Sequence, residues 1–263
     1  MSPTTLRSTI DGPVGTIMLA RPDKMNAFND VMHAELREAL DAFERDETVR
    51  VVVLTGEGRA FSSGQDLTVD LKRDERGRLD LGPALTRDYN PLVLRLSHYP
   101  KPIIAALNGP AVGASMNIAL ACDIVVAARS AYLQEAFAKI GLIPDAGGTW
   151  ILPRLVGPKI ALALMLSAEP VSAEDAQRMG LVYKVFDDAS FTVDVAAFAA
   201  RLAAGPGLAY RLTKQAVAES LANDLPAQLD LEARLQSEAG SSDDFMEGVA
   251  AFREKRPPRF EGR

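Results

Sequence analysis

The sequence predicts an α/β fold with a mostly parallel sheet, followed by a region that is helical throughout. Two observations predict it. Short β-rich runs alternate with helical patterns as far as residue 190, and from about residue 191 only helical periodicity remains. Alternation of this kind asks for crossover helices between parallel strands. The chain therefore divides into a core over residues 1–190 and a helical C-terminal region over 191–263, the latter read as an appendage.

Each element has its own signal. Val14–Leu19 is a strand candidate bounded by Gly and Pro. Asn29 is placed to cap a helix whose apolar stripe is Met32, Leu36, Leu40 and Phe43. Residues 49–54 form a strand that runs into the turn Gly56-Glu57-Gly58, and residues 84–98 read as helix. The stretch 102–122 carries no charge and approaches the length of about 20 residues that spans a bilayer. Asn108-Gly109-Pro110 breaks it, and Ser115 and Asn117 are polar. It reads instead as a buried strand (103–107), a tight turn and a buried helix (113–122). Strands at 124–128 and 131–134 come next, then helices opening near Gly147 and Pro158. Ser172-Ala173-Glu174-Asp175 is a capping box. The helical region ends in the stripe Phe245, Val249, Phe252. Residues 70–82 are charged and Gly-interrupted, as a solvated loop is; beside a site, such a loop is also a lid.

Composition narrows the function. At 263 residues, 48% apolar and 24% charged, the chain suits one large globular domain and not a disordered one. The net charge of −6 gives no global attraction to nucleic acid or to an anionic membrane, so neither is an expected partner. Any anionic ligand must be held by local cations and backbone N–H groups. Cys122 stands alone, which rules out an internal disulfide and a cysteine metal cluster and fits a reducing, cytoplasmic setting. The opening MSPTTLRSTIDGPVG lacks the cationic start and apolar core of a signal peptide.

Some motifs point nowhere. Gly56-Glu57-Gly58-Arg59-Ala60-Phe61 lacks the third glycine of a dinucleotide fingerprint. Gly113-Ala114-Ser115-Met116-Asn117 resembles a nucleophile elbow, but Asn117 replaces its last glycine. Both histidines, His33 and His98, precede Ser115, against the order of such hydrolases; they read as surface or helix-end residues. Two Gly-rich strand-to-helix junctions remain, Phe61-Ser62-Ser63-Gly64-Gln65-Asp66-Leu67 and Asn108 to Ser115. Each offers free backbone N–H groups, and two such groups aimed at one point make an oxyanion hole; plain turn chemistry explains the same residues. A third element, Gly141 to Thr149, places Asp145 between Pro144 and a glycine pair. Asp145 is either a helix N-cap or a general base set among Phe137, Leu142, Ile143 and Trp150, where burial raises its pKa.

In their order and spacing these elements resemble the crotonase, or enoyl-CoA hydratase/isomerase, superfamily. The matching stretches are Arg21-Pro22-Asp23-Lys24-Met25-Asn26-Ala27-Phe28, VVVLTGEGRAFSSGQDL, KPIIAALNGPAVGASMNIALACDIVVAA, IPDAGGTWILPRLVG and the terminal FREKRPP. The resemblance implies a spiral of ββα turns and a helical C-terminal region that builds a homotrimer or a dimer of trimers. It implies an acyl-CoA substrate, with coenzyme A arriving as part of that substrate and no further cofactor or metal. The oxyanion hole would be the N–H groups of Gln65 and Ala114. Arg21, Lys24, Met25 and Ala27 would lie against the CoA nucleotide, with Ser63, Asp66 and Leu67 among the substrate-binding residues. Lys255 of a neighbouring subunit would reach the CoA phosphates.

Departures from the family pattern bear on the reaction. The two glutamates that hydratases use to add water match Asn117 and Phe137 here, and neither is a base. Asp145 stands where hydratases have a small residue, as in isomerase branches of the family. One carboxylate with an oxyanion hole suffices to move a proton from the α- to the γ-carbon. Asn117 either orients the substrate or satisfies local backbone. Phe137, Met116, Leu142 and Trp150 are either the lining of an apolar acyl pocket or plain core. Within the family, Tyr89-Asn90-Pro91-Leu92, FAKIGLIPDAGGTW and EGVAAFREKRPPRF resemble the branch that isomerises the ring epoxide of phenylacetyl-CoA. Alternatives are a general 3,2-enoyl-CoA isomerase, a dehalogenase with an aspartate nucleophile, a hydratase, and a non-catalytic CoA- or RNA-binding relative.

Overall fold

The computed structural model describes residues 4–68 and 76–262. The segment read as a solvated loop or lid lies partly outside the described residues, at 69–75.

Strands β1 (Leu6–Asp11) and β2 (Val14–Leu19) form an antiparallel hairpin. Its turn uses Gly12 at φ +52°, a conformation that glycine adopts without strain. Helix α1 (Asp30–Arg45) is capped by the Asn29 side chain, which accepts from Met32 N at 2.9 Å, and it buries Met32, Leu36, Leu40 and Phe43 as the stripe predicts. Strand β3 (Val51–Gly56) follows. Residues 82–97 form one helical run in which α2 (Gly82–Ala84) and α3 (Asn90–Ser97) are joined by a π turn, Leu85–Tyr89. Next come β4 (Ile103–Leu107), β5 (Ala111–Val112), α4 (Ala114–Leu120), β6 (Ile124–Ala128) and β7 (Tyr132–Gln134). The uncharged stretch 102–122 is thus strand, turn and helix.

Helix α5 (Gly148–Ser167) has the length and apolarity of a membrane span, but Gly157, at φ 77° and ψ 157°, interrupts it. The two helix starts predicted near Gly147 and Pro158 are the two halves of α5. The chain continues through β8 (Val171–Ser172), α6 (Ala173–Arg178), β9 (Lys184–Phe186) and α7 (Phe191–Ala203). Ser172 caps α6 by accepting from Asp175 N at 3.1 Å. The chain ends with α8 (Gly207–Ser220), α9 (Leu225–Gly240) and α10 (Asp243–Glu254).

The main sheet has the order β1-β2-β3-β4-β6-β9, parallel except for the β1 edge. Strands β3, β4 and β6 are buried on both faces, as parallel strands between layers are. A small second sheet has the order β5-β7-β8. Strands β1, β5, β8 and β9 are additions to the sequence reading. In β1 only Leu6 is buried, so no apolar alternation marks it, and the other three are two or three residues long.

Two expectations need correction. The region from 191 does not begin as an appendage: α7 packs on β2, β3 and β6, and its Phe191, Val195, Ala199 and Ala203 join the core. His33 is not a surface residue. It is 1% exposed on α1, stacked edge-on to Tyr89 at 4.4 Å, and burial pulls its pKa down to about 4. His98 does end a helix, as the C-cap of α3.

Candidate active site

In an open parallel sheet, ligands bind where loops leave the carboxyl ends of the strands. Two such loops, after β3 and after β4, are sewn together here. Asn108 accepts from Gly56 N at 3.0 Å and donates to Gly58 O at 2.9 Å, and Asn26 donates to Glu57 O and Ala60 O at 2.9 and 2.8 Å. Ser62 N donates to Pro110 O, and Val112 N donates to Ser62 O. The Ser115 hydroxyl is spent on the same seam, donating to Ser62 O at 2.7 Å and accepting from Val112 N at 3.0 Å. That bonding removes it as a nucleophile.

The seam sets up the expected pair of N–H groups. Gly64 has φ +88°, and a Cβ there would stand 2.7 Å from Val112 O and 3.6 Å from Ala114 N. Gly113, at φ 59° and ψ −131°, turns the chain so that Ala114 opens α4. A helix leaves its first N–H groups without intrahelical acceptors. The N–H groups of Gln65 and Ala114 have no acceptor among the described residues. Free donors on abutting loops are what an oxyanion hole requires.

Asp145 belongs to the same site. Its carbonyl accepts from Asn117 Nδ2 at 2.9 Å, which ties its loop to α4. Its Oδ1 is buried and has no partner among the described residues, and burial pushes its pKa up to about 6. It is not a helix cap: Gly147 occupies the N-cap of α5, with no side-chain bond. Tyr89, from the π turn, donates its hydroxyl to Gln65 Oε1 at 2.6 Å; burial raises its pKa, and the charge on Asp145 adds to the rise. Tyr89 therefore links the oxyanion loop to the neighbourhood of Asp145, a role the sequence reading missed.

Other predicted residues fall as follows. Phe137 is 6% exposed, with its ring about 4 Å from the Cβ position of Gly113, so it walls the Ala114 side. Leu142 is at the surface, and Ile143 and Trp150 are 79% and 48% exposed. They do not enclose Asp145; Trp150 instead stacks under the Arg154 guanidinium at 4.0 Å. Arg21 and Asp66 are given to each other at 2.8 Å, and Arg21 also donates to Ala27 O. The Thr68 hydroxyl and Arg21 hold the Asp66 carboxyl down near about 2 against the cost of its burial. These two residues brace the oxyanion loop. Met25, at φ 48°, closes the Pro22–Lys24 turn and accepts from Ser63 N, while Lys24 is exposed and Leu67 is 59% exposed. Lys255 is exposed at the end of α10. Glu135, 1% exposed beside Asn117, was not foreseen: a charged residue after an alternating run reads as solvated.

Comparison with known proteins agrees with this fold. The family model described as enoyl-CoA hydratase/isomerase matches residues 9–263. The chain is 48% identical over 257 residues to the 1,2-epoxyphenylacetyl-CoA isomerase of Escherichia coli K12, covering 97% of this chain and 98% of that one. It is 49% identical over 263 residues to a protein of Rhodobacter capsulatus named "Probable enoyl-CoA hydratase", covering 100% of both. The crystal structure of an enoyl-CoA hydratase subunit I from Geobacillus kaustophilus matches with a TM-score of 0.90 at 38% identity, over 99% of each chain.

Proposed function

From the chain's membership of the enoyl-CoA hydratase/isomerase family, with its α/β crotonase fold, we propose that this enzyme of CoA thioesters is an isomerase. Asp145 removes a proton from the α-carbon beside the thioester. The electron pair moves onto the carbonyl oxygen, and the N–H groups of Gln65 and Ala114 hold the resulting enolate, each donor worth on the order of 3 kcal/mol. The protonated Asp145 then returns the proton at the γ-carbon, and the double bond ends conjugated with the thioester. Ring-1,2-epoxyphenylacetyl-CoA would open electrocyclically, breaking the ring C–C bond that its epoxide oxygen bridges, and the proton shift on the resulting oxepin would give the exocyclic double bond conjugated with the thioester; a 3-enoyl-CoA would give the 2-enoyl-CoA by the shift alone.

One observation carries the reading. Asp145, whose Oδ1 is buried without a partner among the described residues, is held at about 6 by burial, where it serves as a base at neutral pH. The positions hydratases use for water are filled by Asn117, spent on backbone, and by Phe137. Turnover of synthetic epoxyphenylacetyl-CoA and of 3-hexenoyl-CoA tests the proposal. Loss of both in Asp145→Asn with the fold intact is expected, and parent-like rates would overturn it.

The name carried by the Rhodobacter relative favours a second reading, hydration of 2-enoyl-CoA. Brisk water addition to crotonyl-CoA would select it. The general 3,2-enoyl-CoA isomerase of fatty-acid oxidation shares the mechanism, and relative kcat/KM for the ring and linear substrates separates the two. The reading includes a cytoplasmic homotrimer or dimer of trimers in which Lys255 of one subunit meets the CoA phosphates of the next. Exposed apolar residues such as Leu166, Met246 and Phe252, at 74%, 65% and 86%, support assembly.

A further inference from the structure

Glu135 stands between β7 and the turn Ala136–Ile140, and the reaction outlined above gives it no part. Both of its carboxyl oxygens, Asn117 Oδ1 and Asp145 Oδ1 are buried without a hydrogen-bond partner among the described residues. These are four acceptors with no donor. The Asn117 side chain lies beside Glu135, while its Nδ2 is committed to the Asp145 carbonyl at 2.9 Å. A buried acceptor left unpaired is costly, and two buried carboxylates around one amide resist sharing full charge. A single proton on Glu135 resolves the arrangement.

Resting on the isomerase reading, we propose that Glu135 is a positioning residue that works through its proton. Its carboxylic O–H donates to Asn117 Oδ1, which leaves Asn117 Nδ2 facing the Asp145 carbonyl and holds the base's backbone in place. Ionised, Glu135 becomes an acceptor. The amide then turns to offer it Nδ2, the Asp145 carbonyl loses its tie to α4 and keeps only the Gly148 N–H at 2.9 Å, and two like charges share the pocket. Burial pushes Glu135 up to about 8; the neighbouring Asn117 amide opposes this rise and the Asp145 charge adds to it. Lys139 of the turn Ala136–Ile140, and Arg154 and Lys159 of α5, which packs on that turn, are all exposed, and the elements packed on β7 bring no competing charge. Strands β5 and β8 supply Ala111, Val112, Val171 and Ser172, and α6 buries only Ala173 and Ala176. The charged side chains of α6 are exposed and paired, Glu174 with Arg129 and Asp175 with Arg178. The site is competent where Asp145 has lost its proton and Glu135 has kept its own, between about pH 6 and about pH 8.

The test is the pH profile of kcat/KM for a 3-enoyl-CoA with the parent, E135Q and E135L. The parent profile is expected to fall above about pH 8. In E135Q the side-chain amide always has a donor for Asn117 Oδ1. That variant should keep the parent rate at pH 7 within about twofold and lose the alkaline fall, running about tenfold faster than the parent at pH 9.5. E135L supplies no donor and should lose roughly tenfold in kcat at every pH with KM little changed. Superimposable parent and E135Q profiles, or an E135Q enzyme dead at pH 7, would overturn the proposal. Thermal unfolding gives a readout free of catalysis. A carboxyl whose pKa is raised by folding costs stability as pH rises from its unfolded value through its folded one, so the Tm advantage of E135Q should grow from pH 5 to pH 8.5. A pH-independent difference also sinks it. D145N assayed alongside keeps the two ideas apart: parent-like activity there removes the base assignment, while the E135Q comparison of Tm stands independently.

Discussion

Asp145, the proposed base, is destabilising at neutral pH. Its pKa is raised from 3.8 to about 6 by burial, so its contribution to stability is best below the unfolded value and lost as pH rises through about 6. Asp145→Asn should therefore raise Tm at pH 7.5 by a few degrees while isomerisation falls by at least about a thousandfold. In the parent, kcat/KM should fall roughly tenfold per pH unit below about 6, as the base takes up a proton. Arg21 separates two roles. Against CoA phosphate, its loss would raise KM alone; as the ion-pair partner of buried Asp66, its replacement by Ala should cost about 3 kcal/mol in a urea melt and lower kcat as well. Asp145 was legible because Pro144 and the glycine pair frame it. Glu135 and His33 were not, because nothing in a single sequence distinguishes a buried charged or polar residue from a solvated one.

At the scale of elements, strands β4 and β6 were legible to the residue, because runs buried on both faces are uniformly apolar. Strand β1 was invisible because the hydrogen bonds to β2, and not its side chains, keep it in the sheet. The π turn Leu85–Tyr89 also escaped, since one extra residue in a helical turn leaves no periodic trace; it carries Tyr89, which reaches Gln65. The oxyanion loops depend on glycines for space as well as conformation. Gly64→Ala places a Cβ 2.7 Å from the Val112 carbonyl and should part the two N–H groups. A loss in kcat of about a hundredfold or more is expected, with the far-UV circular dichroism spectrum unchanged.

At the scale of the whole molecule, two helices carry large apolar side chains in the open. Phe245 and Phe252 are 50% and 86% exposed on α10, and Leu162 and Leu166 are 51% and 74% exposed on α5. Phe252→Asp should shift sedimentation toward the mass of one chain. If Lys255 acts across subunits, the same change should raise KM for the CoA substrate, whereas unaltered sedimentation would place Phe252 outside the assembly. The loop seam also governs how the protein ages. An Asn-Gly step in a loose chain deamidates readily, because the glycine nitrogen attacks the asparagine side-chain carbonyl. Here Asn108 is pinned by Gly56, Gly58 and Ala60, and Gly109 is pressed against the Arg59 carbonyl. Native chains should resist this reaction and unfolded ones succumb, so the mass gained at Asn108 during storage records how long a preparation has spent unfolded.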